Sequence, residues 1–135
     1  MTRDEIMQLD DDALRIEVAR ACGYRWYYGN RTDGEPVYHL CTPFEVRGYD
    51  WREVAVTKGF YFTKAPDYPR DIAAAIALLD STGAEYNIGK NIAGVPVYEV
   101  IIWGRNPISG PDYEATDDTL PVAACRAWLM WHSTN

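Results

Sequence analysis

The sequence is poor in the residues that most often betray a chemistry. It has two histidines, His39 and His132, and no Ser-His or metal-ligand constellation built around them. Its three cysteines, Cys22, Cys41 and Cys125, are odd in number, and no pair has C-x-x-C spacing. That argues against a disulfide framework and against a zinc-finger pattern; the cysteines read as reduced thiols. Gly89-Lys90-Asn91 lacks the glycine spacing of a phosphate-binding loop and reads as a hairpin turn. No apolar run approaches the roughly 20 residues needed to cross a bilayer. Met1-Thr2-Arg3-Asp4-Glu5 is acidic and has no apolar h-region, so it does not read as a signal peptide. The expectation is a cytoplasmic protein without membrane contact, cofactor or metal site.

Basic residues are outnumbered as well, 13 against 20 acids, for a net charge of −7. An acidic mimic of nucleic acid is one reading of that excess, and it requires carboxylates spread along one face. The acids are instead grouped. Asp4, Glu5 and Asp10 to Asp12 lie at one helical start, Asp67 and Asp71 flank a second, and Asp112, Glu114, Asp117 and Asp118 precede a third. Carboxylates there cap orphan N–H groups and meet the positive end of the helix dipole.

What is present is a well-marked sequence of elements. Thr2 to Glu5 has capping-box spacing for a short first turn. Leu14, Val18, Ala21 and Cys22 then fall on one helical face from Asp11 to Cys22, with Gly23 as terminator. The β-type run Tyr24 to Tyr28, the turn chemistry of Gly29 to Gly34 and the run Val37 to Cys41 predict a hairpin. Short strands are expected near Glu53–Val56 and Phe60–Thr63. The spacing of Ile72, Ala75, Ile76 and Leu79 predicts a helix over 69–82, opened by Pro69 and stopped by Gly83. Strands over 85–88 and 95–103 follow, joined by a turn through Gly89–Asn91 and Gly94. The second is apolar on both faces and is expected in the middle of a sheet covered on both sides. Residues 104–118 read as a loop. A last helix over 120–132 carries Val122, Cys125 and Leu129 in one stripe and Ala124, Trp128 and Trp131 on its flank. Trp128 and Trp131 either close the core or form a patch for a homo-oligomer. The fold class is α+β: an α/β/α sandwich whose mainly antiparallel sheet of about four to six strands is flanked by three helices, one domain over 1–135.

Three stretches carry a resemblance. They are Met1 to Ile6 with Cys22-Gly23-Tyr24-Arg25-Trp26, then Tyr68-Pro69-Arg70-Asp71-Ile72-Ala73-Ala74-Ala75, then Asp118-Thr119-Leu120-Pro121-Val122-Ala123-Ala124-Cys125-Arg126-Ala127. Together they resemble the phage ABA sandwich domain family of small phage and prophage proteins. Pro69 departs from that family's pattern, which more usually has a small hydroxyl residue there. Residues 29–66 and 104–116 are particular to this chain. The resemblance implies an α/β/α sandwich, a phage or prophage origin and the host cytoplasm as the compartment. It implies no activity, so it carries over no catalytic residue.

Residues 24–68 hold 12 of the 18 aromatic residues, with Arg25, Arg31, Arg47 and Arg52 among them. Trp26, Tyr28 and Trp51 complete a candidate ligand-binding set, in which rings stack on a base and guanidinium groups meet phosphate. The plainer alternative is that the rings pack a sheet and the arginines cover its rim. The function expected is a non-enzymatic accessory protein, an anti-defence binding module that sequesters a host signalling nucleotide or binds a host protein. A small hydrolase-like enzyme using His39 and Cys41 is the alternative from another class, with the acidic mimic as a third. No catalytic residue is assigned.

Overall fold

A computed structural model describes residues 1–30, 34, 36–55, 60–104 and 113–134. Along the chain run α1 (Arg3–Met7), α2 (Asp11–Ala21), β1 (Arg25–Asn30), β2 (Pro36–Cys41), β3 (Arg52–Glu53), β4 (Tyr61–Thr63), α3 (Ile72–Ser81), β5 (Tyr86–Ile92), β6 (Val95–Ile102), β7 (Tyr113–Asp117) and α4 (Leu120–Thr134). The class is α+β, as the sequence predicts. The strands divide between a four-stranded sheet, order β3-β1-β2-β4, and a three-stranded sheet, order β5-β6-β7. The chain forms two compact units, Met1–Val18 with Asp67–Asn135, and Ala19–Pro66.

In the first unit the helix starts follow the sequence closely. Thr2 Oγ1 accepts the Glu5 N–H at 3.2 Å while the Glu5 carboxylate accepts the Thr2 N–H at 3.3 Å, a complete capping box. Asp10 Oδ1 accepts the Ala13 N–H at 2.8 Å and caps α2. Leu14 and Val18 are fully buried, whereas Cys22, expected on the same stripe, is exposed. Asp71 caps α3 by accepting the Ala74 N–H at 3.2 Å. The helix therefore starts three residues later than expected. Pro69 sits in the preceding turn, closed by the Arg70 and Asp71 N–H groups on the Asp67 carbonyl.

The core of this unit is α4. From Pro121 to Met130 every residue except Arg126 is buried, the all-round apolar surface of an interior helix. α4 packs on β6 and β7, and α3 and α1 pack on α4. The α3 face that is buried carries Ala75, Leu78 and Leu79; Ile72, expected to point inward, is 57% exposed. Trp128 is buried at 4% exposure and stacks on His132, with ring centroids 5.0 Å apart. Arg126 is the polar exception, and its two terminal nitrogens tie the helix down. Nη1 meets Asp117 Oδ1 at 2.9 Å, and Nη2 donates to the Leu9 carbonyl at 3.2 Å.

β6 is the middle strand, as expected, but its two faces differ. Val100 and Ile102 are fully buried, while Val97, Glu99 and Ile101 are only half-buried. The β5–β6 turn is Ala93-Gly94, not Gly89–Asn91. Both turn residues have φ above zero, 51° and 77°, the condition of a type I′ hairpin, and the register slips between Lys90 and Ile92. β7 falls in a stretch the sequence reads as loop. Its buried Tyr113 and Ala115 alternate with exposed Glu114 and Thr116, too brief a pattern to stand out among the Gly, Pro and Asp around it. Glu114 thus belongs to a strand, not to a helix start.

The second unit is built on the β1–β2 hairpin, paired from Arg25↔Cys41 to Asn30↔Pro36. β3 adds to β1 antiparallel, and β4 adds to β2 parallel. Thr63 secures β4 by donating its hydroxyl to the Leu40 carbonyl at 2.8 Å and accepting the Ala65 N–H at 3.0 Å.

Candidate ligand-binding cleft

The register of the second unit sorts its side chains onto two faces, because directly paired residues lie on the same side of a sheet. Arg25, Tyr27 and Gly29 share a face with Cys41, His39 and Val37, and the β4 pairing adds Phe62. Trp26 and Tyr28 share the other with Leu40, Tyr38 and Tyr61, where the β3 pairing adds Arg52. On that second face Trp26 is 5% exposed and meets Tyr61 edge-on at 5.0 Å, and Tyr28 lies 4.9 Å from Tyr38. These rings pack the sheet.

The first face carries an open cleft of about 650 Å³, a volume typical of small-ligand sites. Its floor is His39, with Trp51 tilted against it at 4.0 Å between centroids and Phe62 at 5.7 Å. Trp51 can lie there because Gly29 has no side chain. A Cβ at that position would overlap the indole Cγ, Cδ1 and Nε1 atoms. This glycine is required by close approach of a ring and not by its backbone angle.

Residues 42–49 form successive turns that carry the cleft's outer rings. The N–H groups of Glu45, Arg47 and Tyr49 donate to the carbonyls three residues back, and Gly48 takes a φ of +87°. The turns place Phe44, Glu45 and Tyr49 on the lining. Phe44 is 78% exposed and Tyr49 66%, with the Tyr49 ring 5.8 Å from Trp51. Phe60, 73% exposed, stands edge-on to Phe62 at 4.9 Å. The charged lining residues among those described are Glu45 and Lys64. The cleft can therefore offer flat ring faces, one carboxylate to accept N–H groups and one ammonium to meet an anion.

Of the seven residues the sequence proposes, the structure brings one, Trp51, into this lining. Arg25 is exposed and donates to the Arg20 and Tyr24 carbonyls at 2.9 and 2.7 Å. Arg47 is exposed within the turns between Phe44 and Tyr49. Arg52 is exposed on the face that also holds Trp26 and Tyr28. Arg31 lies outside the described residues. Sequence reasoning missed Phe44, Tyr49, Phe62 and Lys64 as cleft residues. Alternation along β4 and pairing with His39 would have pointed to Phe62, but only with the register known.

His39 and Cys41, the alternative catalytic pair, both line the cleft. Burial, reinforced by the Glu45 carboxylate, pushes the Cys41 thiol up to about 11. At neutral pH the sulfur is then a protonated thiol, a poor nucleophile. In the native protein at pH 8, an alkylating reagent is expected to label exposed Cys22 well before Cys41 or Cys125. Peptide mass spectrometry after short exposure would show it, and Cys41 labelled as fast as Cys22 would contradict the burial argument. Among the described residues, no group of three or more His, Cys, Asp or Glu could hold a metal ion. No helix in them is long and apolar enough to cross a membrane. No family model, curated protein or solved structure matches the chain.

Proposed function

We propose that the chain is a binding module whose ring-lined cleft takes a planar nitrogen heterocycle, with nucleotides as the ligand class. The observation that carries this is the tilted His39–Trp51 ring pair in one cleft with two largely exposed rings, Phe44 and Tyr49. Exposed aromatic side chains grouped around a cleft offer stacking surfaces, each worth roughly 1–3 kcal/mol per base. Glu45 suits the N–H edge of a base, and Lys64, with Arg47 in the adjoining turns, suits a phosphate. A phage or prophage setting, with sequestration of a host signalling nucleotide as the biological role, rests on the family resemblance of the sequence.

Calorimetric titration with cyclic and linear nucleotides, and with the corresponding nucleosides, tests the reading. Binding is expected with at least one purine or pyrimidine nucleotide and is lost in Trp51→Ala. A panel that gives no binding in either form removes the nucleotide reading. Nucleosides binding as tightly as nucleotides would remove the phosphate role given to Lys64 and Arg47.

A further inference from the structure

We propose a second binding site, in the first unit, for a small organic cation of the alkylammonium class. A cleft of about 400 Å³ lies where α3 gives way to β5, lined by Thr82, Gly83 and Glu85 together with the indoles of Trp103 and Trp131. Two independent features there favour a positive charge. The first is electrostatic. The C-terminal end of a helix carries the negative end of its dipole, and α3 has no basic residue in its last turn to neutralise it. The exposed Glu85 carboxylate, three residues beyond the C-cap Thr82, adds a full negative charge beside that end.

The second feature is the pair of indoles. Both Trp103 and Trp131 are half-buried and line the cleft. Trp103 is anchored from both ends. Its backbone N–H donates to the Glu85 carbonyl at 2.9 Å. With the Asn87 amide turned to accept, the indole N–H donates to it at 3.1 Å. An indole held by its edge keeps its face for another partner. The electron-rich faces of tryptophan attract ammonium groups, most strongly when the cation is weakly hydrated, as alkylated ammonium groups are. Rings plus one carboxylate select such a group over a neutral molecule of the same shape, which gains the contact area and nothing from the charge. They also select it over a bare metal ion, which needs more oxygen ligands than Glu85 supplies.

The test is calorimetric titration of the full chain with choline and with its uncharged isostere, in which carbon replaces the ammonium nitrogen. Choline is expected to bind at least about tenfold more tightly than the isostere. Glu85→Gln, a change at an exposed position that leaves the melting temperature unaltered, weakens choline about three- to tenfold. Trp103→Ala abolishes the heat. Equal affinity for choline and the isostere would make the cleft merely apolar and overturn the proposal. So would the absence of heat with choline, or choline binding unchanged in both variants.

Discussion

Leu79→Ala lowers the unfolding free energy by about 2–5 kcal/mol, while Ile72→Ala, two turns earlier on the same helix, leaves it within about 0.5 kcal/mol. The two residues belong to one apolar stripe by spacing, and sequence reasoning treats them alike. In the folded chain Leu79 is 0% exposed and Ile72 is 57% exposed. Truncating Leu79 removes methyl groups from the α3–α4 packing and leaves a cavity that rigid neighbours fill only in part. Truncating Ile72 removes surface that is already largely in water and replaces a β-branched residue in the first turn by the best helix former. Urea denaturation of both variants checks this, read as the shift in midpoint at constant slope. Equal losses would mean that α3 is rotated relative to the placement described.

Gly29→Ala is expected to dismantle the ring-lined cleft without unfolding the sheet. The added methyl group has no space beneath the Trp51 indole, so either the ring leaves His39 or β1 shifts. Overpacking of this kind typically costs about 1–3 kcal/mol. The His39–Trp51 contact is the more easily surrendered, because Trp51 precedes β3 in a segment of few pairings. Two readouts separate structure from function. The His39 ring protons, shielded by the indole in the native protein, move toward their free shifts in an NMR spectrum. Any ring-bearing ligand of the cleft loses at least about tenfold in affinity, as Trp51→Ala does. Unchanged His39 resonances in Gly29→Ala would show that the indole does not rest on that backbone.

These two positions also show where sequence reasoning succeeds and where it stops. Local grammar was legible. Thr2 and Asp10 cap the helices that their spacing announces, Asp71 caps a helix read as opening two residues earlier at Pro69, and Gly23 follows the second helix with φ of +105°. Such features depend on residues within one turn of each other, so a linear reading holds the whole interaction. The apolar stripe and flank of 120–132 likewise marked a helix, though not that it would be buried nearly all round. The aromatic wealth of 24–68 marked the segment that holds the candidate site, though not which rings face it.

The chain's own string of residues determined its class, the starts of α1, α2 and α4, the β1–β2 hairpin and the segment in which rings are concentrated. Tertiary structure decided the division of strands into two sheets, the strand β7, the burial of Leu78 in place of Ile72 and the placing of Trp51 against Gly29 and His39. Those outcomes turn on contacts between residues distant in the chain, where a one-residue change in register moves every side chain to the opposite face. Nothing in the local spacing of Trp26, Tyr28 and Trp51 says that the first two pack a sheet while the third lines a cleft; the pairing of β1 with β2, and the missing side chain at position 29, say it.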